Sequence, residues 1–526
     1  MKQLLLFVLL AFAFNTSAQF TQEWIRTDDS LTTGTSVAVD ANDNAFVTMH
    51  DGSIRLRKYD IDGNLEWEVQ DTTAVEFNYQ FPQRVLIDPQ GNALVVGYRY
   101  TLPSTSSNTG HIANAIVVLK YEADGDFVYK KTYTGTYSTL NAGHYWTKVS
   151  SDMDADGNLY LGTAGLVNGY PNHNFKVIKL TPAGNIVWVA SHAYATFFYY
   201  VNNIRLHGDK VGVIGTTNSA NANVAVWQID TTGADVYNDI LIGVGGKDIA
   251  FDNSGYMYAL SWIPTAFVGD VALYKFDPAG DTLWLKKYDF GHSELASRIE
   301  FTPDNHLAIM AYGNQQPANL YSDWITMKVD LDGNLQWSKR YNQHEDNDEL
   351  PQDIAVDEFS NVYVTGVAGP FPGGSNLGLR QMVTIKYNAD GDSIWSAAID
   401  TFTEFNTGVD IALDSEDGVY VLGLDYSILV RYNDTTNTGV GINDRVVASN
   451  GVSVFPNPSS TTFNVSSVNE MQRIEAFDVT GNVIYSNEVV KSKQVSIDVA
   501  NWHNGVYFLK LTGVDGQTAW WKFIKD

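Results

Sequence analysis

A motif that returns seven times at fixed internal offsets constrains this chain more than any other feature. The segments KYDIDGNLEW, KYEADGDFVY, KLTPAGNIVW, QIDTTGADVY, KFDPAGDTLW, KVDLDGNLQW and KYNADGDSIW place glycine at 63, 125, 184, 233, 280, 333 and 391. Four residues after each glycine stands an aromatic: Trp67, Tyr129, Trp188, Tyr237, Trp284, Trp337 or Trp395. Five residues before it stands a long polar side chain: Lys58, Lys120, Lys179, Gln228, Lys275, Lys328 or Lys386. Glycine accepts positive φ without a Cβ penalty, so a glycine between alternating apolar stretches marks a β-hairpin. The aromatic lies at an even offset, on the sheet face of the glycine position, where a ring fills space against a neighbouring sheet. These rings therefore read as packing bulk rather than as a ligand platform.

A second hairpin precedes the first in each unit. Its clearest copy is DIAVDEFSNVYVTG from Asp353, with further copies from Val37, Val85, Ser150, Asp248 and Asp410 and degenerate ones near Arg205 and Glu300. Its turn anchors, Asp40, Asp88, Asp154, His207, Asp252, Thr302, Asp357 and Asp414, recur about every 53 residues, a propeller-type period. The eighth unit has a third strand at 427–432 and then lapses, while residues 20–27 at the other end of the chain carry an unassigned aromatic, Trp24. An N-terminal strand that completes the last unit closes a ring and protects the sheet edges. The prediction is an all-β chain: a β-propeller of eight four-stranded repeats over residues 19–433, with seven blades as the alternative count.

Beyond it, residues 434–451 fill with Asn, Thr and Gly as a linker does, and residues 452–526 alternate again in short strands, which predicts a small Ig-like β-sandwich. At the start, Lys2, the apolar run from Leu4 to Phe14 and the small residues Thr16, Ser17 and Ala18 read as a signal peptide over residues 1–18. No later segment is long and apolar enough to span a bilayer, so the mature chain is expected outside the cytoplasm without a transmembrane span. The chain has 60 acidic side chains against 33 basic ones, a net charge of −27, which excludes nucleic acid as a partner. It has no cysteine, hence no disulfides and no thiolate metal sites.

The unit DIAVDEFSNVYVTG with its following Pro/Gly-rich loop resembles the bacterial β-propeller repeat family abbreviated SBBP, whose members are often seven-bladed. The tail resembles the type A C-terminal sorting domain of type IX secretion cargo. The matching residues are Pro456, Asn457 and Pro458, the turn ending at Gly481, Gly505 and Tyr507, and the terminal Lys522 and Lys525. The closing Asp526 departs from the family's commoner basic or apolar end. The resemblance implies export through the periplasm to the cell surface or medium, with the type IX secretion machinery as partner.

Catalytic signatures are missing: ten histidines are scattered singly, and HExxH, GxSxG, the P-loop and the Rossmann fingerprint are absent. One stretch, Asp152, Asp154 and Asp156, spaces carboxylates as a calcium loop does, although Thr163 stands where an EF-hand has its bidentate Glu. An ordinary hairpin turn is the competing reading, and no other cofactor is indicated. Connections between hairpins and between units emerge on one common face. Tyr100, Tyr145, Trp146, Trp262 and Phe371 lie in them and are candidates for stacking on a sugar or anchoring a protein. Three roles fit: a non-enzymatic binding or adhesion module for an extracellular glycan or protein, a polysaccharide- or peptide-degrading enzyme using carboxylates in the propeller mouth, and a structural surface component. The missing motifs favour the first.

Overall fold

The computed structural model describes residues 20–28, 32–71, 78–101, 112–134, 149–165, 174–192, 199–217, 223–241, 243–265, 268–291, 293–314, 321–343, 348–369, 380–400, 407–416, 418–434, 453–455, 461–477, 483–503, 505–513 and 518–525. The predicted signal peptide, residues 1–18, lies outside them. The chain divides into two compact units, Met1–Thr435 and Thr436–Asp526. No helix among the described residues is long and apolar enough to cross a membrane.

The first unit consists of eight four-stranded antiparallel sheets. In blade 1 the strands are Thr33–Val39, Ala45–His50, Ile54–Tyr59 and Leu65–Gln70, in sequence order from the inside out. The inner strands of blades 2 to 7 are Asn78–Ile87, Ser150–Met153, Tyr199–His207, Val244–Phe251, Ser293–Thr302 and Leu350–Val356. Blade 8 begins with Gly408–Leu413, continues through Gly418–Gly423 and Leu429–Asp434, and takes its outer strand, Phe20–Arg26, from the N-terminus. That strand pairs antiparallel with its neighbour from Phe20 opposite Asp434 to Arg26 opposite Leu429. Each inner strand contacts the next, and that of blade 8 contacts that of blade 1, so the ring is closed. The blades number eight, which removes the seven-bladed alternative.

Local chemistry fixes the hairpins. In the first turn of blade 1, Asp40 Oδ1 accepts the amides of Asn42 and Asn44, both at 2.9 Å. Asp88, Asp154, Asp252, Asp357 and Asp414 do the same at the corresponding turns, and Thr302 accepts the His306 amide through its hydroxyl. These carboxylates satisfy backbone donors that would otherwise need water, as short polar side chains do in tight turns. The hydrophobic core lies between blades. Tyr258, Leu260 and Leu273 of blade 5 pack with Ile299, Ile309 and Met327 of blade 6, and Trp24, Tyr420 and Leu422 of blade 8 pack with Val37, Val47 and Tyr59 of blade 1.

The second unit is a five-stranded antiparallel sheet of Ser453–Phe455, Thr462–Phe477, Val483–Asp498, Gly505–Gly513 and Thr518–Lys525. Its strands join in one hydrogen-bonded network built on two strands of 16 residues each, longer than the short strands expected of an Ig-like sandwich. The register between them breaks between Ser466 and Met471. The half before the break pairs with Ser453–Phe455 and the half after it with Gly505–Gly513. A register break lets one strand serve two sets of neighbours. Phe463, Val465, Ile474, Ile497, Leu509 and Leu511 form its core.

Candidate functional site

The recurring aromatic acts between blades. A Cβ on Gly63 would meet the Trp24 ring at 2.6 Å, one on Gly125 the Trp67 ring at 2.9 Å, one on Gly184 the Tyr129 ring at 2.9 Å, and one on Gly391 the Trp337 ring at 2.6 Å. Gly233, Gly280 and Gly333 receive Trp188, Tyr237 and Trp284 in the same way. In seven of the eight blades the ring thus seats on the turn glycine of the next blade, and only a residue without a Cβ leaves room for it. Each of these glycines also has positive φ, from 72° to 99°.

The recurring lysine completes the joint. Lys58 and Trp67 both donate to the Ala123 carbonyl, at 3.1 and 3.2 Å; Lys179 and Trp188 both donate to Thr231, at 3.3 and 3.1 Å; Lys328 and Trp337 both donate to Ala389, at 3.1 and 2.9 Å. Lys120 and Lys275 reach the corresponding carbonyls of Pro182 and Leu331. Where the repeat substitutes Gln228, Lys210 on the adjacent strand takes over and donates to Pro278 O at 2.8 Å. The ammonium groups lie over cross-strand rings, Lys179 over Tyr160 at 5.0 Å and Lys275 over Tyr258 at 5.3 Å.

The channel is lined by inner strands that are cross-linked by side chains. Asp410 Oδ2 accepts the Val37 amide at 2.8 Å, Asp152 Oδ2 that of Leu206 at 2.8 Å, Asp248 Oδ2 that of Ile299 at 3.2 Å, and Asp353 Oδ2 that of Ile411 at 3.3 Å. Ser36 and Ser150 serve the same purpose for Val85 and Ile204. Arg205 of blade 4 ion-pairs with Glu300 of blade 6. These blades flank blade 5, so the pair spans its inner strand, where Asp248 lies 3.8 Å from Arg205. Burial, opposed by Arg205, raises the pKa of Glu300, and burial together with the charge of Asp410 raises that of Asp353 well above the usual carboxylate range.

Of the expected ligand-contacting aromatics, Tyr145, Trp146 and Phe371 lie outside the described residues, as does the side chain of Tyr100. Trp262, expected in a connection, lies instead within the strand Met257–Thr265, half-buried, where a Cβ on Gly245 would meet its Nε1 at 3.2 Å. The carboxylates of the expected calcium loop make other hydrogen bonds. Asp154 accepts the amides of Asp156 and Asn158 and the Tyr160 hydroxyl, and Asp152 latches onto Leu206. Asp156 stands exposed on the turn, so the three carboxylates do not converge. In the tail, Pro456, Asn457, Pro458 and Gly481 lie outside the described residues. Tyr507 is buried with its hydroxyl donating to His503 O at 2.7 Å, and Lys522 and Lys525 lie on the last strand opposite Phe508 and Gly505.

Comparison with known proteins follows this division. Residues 336–368 match the β-propeller repeat family, and residues 453–526 match the secretion system C-terminal sorting domain. The chain therefore carries propeller repeats and a type IX sorting tail, which directs it to the cell surface or the extracellular space. No curated protein matches it. Among solved structures it is similar to Sqt1 from Chaetomium thermophilum (9% identity, 79% of this chain and 99% of that one, TM-score 0.47). It is also similar to a europium-containing methanol dehydrogenase (12%, 77% and 85%, 0.37) and to a protein of unknown function from Bacteroides caccae (11%, 52% and 94%, 0.29).

Proposed function

We propose that the exported propeller is a non-enzymatic binding module that engages an extracellular glycan or protein through its long-connection face. The observation that supports this most is the asymmetry between the two ends of the blades. One end carries tight turns whose anchoring carboxylates accept turn amides, while at the other end strands are joined through the long connections 102–111, 135–148, 166–173 and 370–379. Variable connections on a rigid scaffold are where recognition concentrates. The enzymatic alternative loses its best carboxylates, because Asp152, Asp248, Asp353 and Asp410 hold neighbouring inner strands together. Binding of the purified full-length chain to a glycan array, with no release of reducing ends or peptides, is the expected result, and Trp262→Ala is expected to weaken it. Release of soluble fragments from a bound polymer would establish the hydrolase instead, and failure to bind either class of ligand would leave the structural role.

A further inference from the structure

We propose that Asp270, Asp289 and Glu294 form a calcium site on the long-connection side of the joint between blades 5 and 6. Asp270 lies in Val268–Phe276, Asp289 directly follows the outer strand Thr282–Tyr288, and Glu294 is the second residue of the inner strand Ser293–Thr302. Folding brings one carboxylate oxygen from each to within 4.8 Å of the other two.

A cluster of acids on an acidic protein is common, and Glu294 is what distinguishes this one. Its side chain is 0% exposed, and neither carboxylate oxygen has a hydrogen-bond partner. A buried carboxylate without donors is costly, and native proteins keep few of them. Burial is the main reason its pKa is pushed up to about 7; the nearby Phe290 amide lowers it, without reaching ordinary hydrogen-bond geometry, while Asp289 and Asp270 raise it further. The adjacent cation offsets this only in part, through its charge and without a hydrogen bond. Arg340 influences Glu294 but donates to Asp323 at 2.8 Å and to the carbonyls of Gly313 and Phe290 at 3.0 and 2.9 Å. Asp270 is raised as well, by burial and by Asp289, against the opposing charge of Lys287.

A hard divalent cation resolves all of these at once. Calcium takes oxygen donors at about 2.3–2.6 Å, so two ligand atoms on one ion stand up to about 5 Å apart, whereas magnesium at about 2.1 Å requires them within about 4.2 Å. Asp289 is exposed, which opens the site to an ion and to the waters that complete its shell. Its Oδ1 accepts the Gly291 amide at 3.0 Å, which fixes the carboxylate over the connection between the two blades.

The test is calorimetric titration of the EDTA-stripped full-length chain with calcium chloride, paired with thermal unfolding. One calcium per chain is expected, with Kd on the order of 10⁻⁴–10⁻³ M, as in extracellular modules, and magnesium at least tenfold weaker. Saturating calcium should raise Tm by about 1–3 °C. Glu294→Gln and Asp289→Asn should each weaken binding at least tenfold, whereas Asp156→Asn, in the turn of blade 3, should leave it unchanged. Asp289 is exposed, so its variant decides the matter even if the buried substitution fails to fold. Absence of calcium-dependent heat and of any Tm shift, or binding by Asp289→Asn as tight as that of the natural chain, would overturn the site.

Discussion

The closing blade and the seven continuous blades solve the same packing problem with different atoms. At an ordinary joint the aromatic and the lysine of one blade meet a backbone carbonyl and a glycine in the hairpin turn of the next. Blade 8 has no such turn, because its outer two strands, Leu429–Asp434 and Phe20–Arg26, come from opposite ends of the first unit. Asp434 occupies the place of the missing turn. Fully buried, its carboxylate accepts Lys386 at 2.7 Å and the Tyr363 hydroxyl at 2.8 Å, where other blades offer a carbonyl. Phe20 fills the space left over and stacks on Trp395 with ring centroids 4.2 Å apart. On the other side Arg431 replaces the repeat lysine and is held by Asp414 at 2.7 Å and by Glu23. Among the described residues, the Trp395 indole N–H and the Tyr432 hydroxyl at this joint find no hydrogen-bond partner. Charged pairs thus stand where other blades have a covalent hairpin, and removing one partner of such a buried pair is costly because it leaves an uncompensated charge.

Removing residues 20–27 should separate the two kinds of joint most sharply. Blade 8 would lose its outer strand, Trp24 its seat on Gly63, and the ring its closure, so the full chain should turn protease-sensitive while the continuous blades keep strand content by circular dichroism. Retention of native protease resistance would mean that closure contributes little. Next in size, Asp434→Ala strands the buried Lys386 ammonium and should cost about 3–5 kcal/mol in denaturant unfolding. The double variant Lys386→Met, Asp434→Leu should recover most of that, because the unpaired charge is then absent.

Gly391→Ala probes an ordinary joint. Its Cβ would meet the Trp337 ring at 2.6 Å with φ at 87°, and the loss should be about 2–4 kcal/mol. Gly208, with φ at 57° and open space around it, carries only the conformational strain, so its alanine variant should cost about 1–2 kcal/mol. Equal effects at the two positions would show that steric fit to the ring matters less than backbone conformation.

The smallest effect concerns pH. Asp88 pairs with Lys120 at 2.7 Å beside the joint of blades 2 and 3. Burial alone would raise its pKa, but the hydrogen bonds from Lys120 and Asn92 outweigh burial and hold it below the ordinary value. Its folded pKa is depressed, so its contribution to stability is present above pH 4 and fades as pH falls through the folded value. Asp88→Asn should therefore lose less stability between pH 5 and pH 3 than the natural chain, as followed by Tm.

The repeat was legible because each blade must satisfy the same local demands: a turn anchor that accepts two amides, a glycine with positive φ, an aromatic at a fixed offset. Trp24 was identifiable as a displaced fourth strand for the same reason. Much of the function of those residues was not legible. The lysines recur visibly, yet their acceptors sit 52 to 65 residues away on the next blade, and nothing local marks those carbonyls. Asp154 shows the converse. Its spacing with Asp152 and Asp156 is that of a calcium loop, while in the fold a turn anchor and an inter-blade latch engage two of the three carboxylates.

What the amino-acid order determined by itself is the unit: two hairpins per blade, eight times, with one strand transferred between the ends and a sorting tail behind. Those features rest on interactions within a few residues, or on a pattern repeated often enough to be recognised without coordinates. The tertiary structure decided which groups meet across the joints. It placed Asp434 beneath Lys386, carried Arg205 to Glu300 across a blade, and gathered Asp270, Asp289 and Glu294. Such meetings depend on how each blade turns relative to its neighbour, and no local sequence rule encodes that rotation.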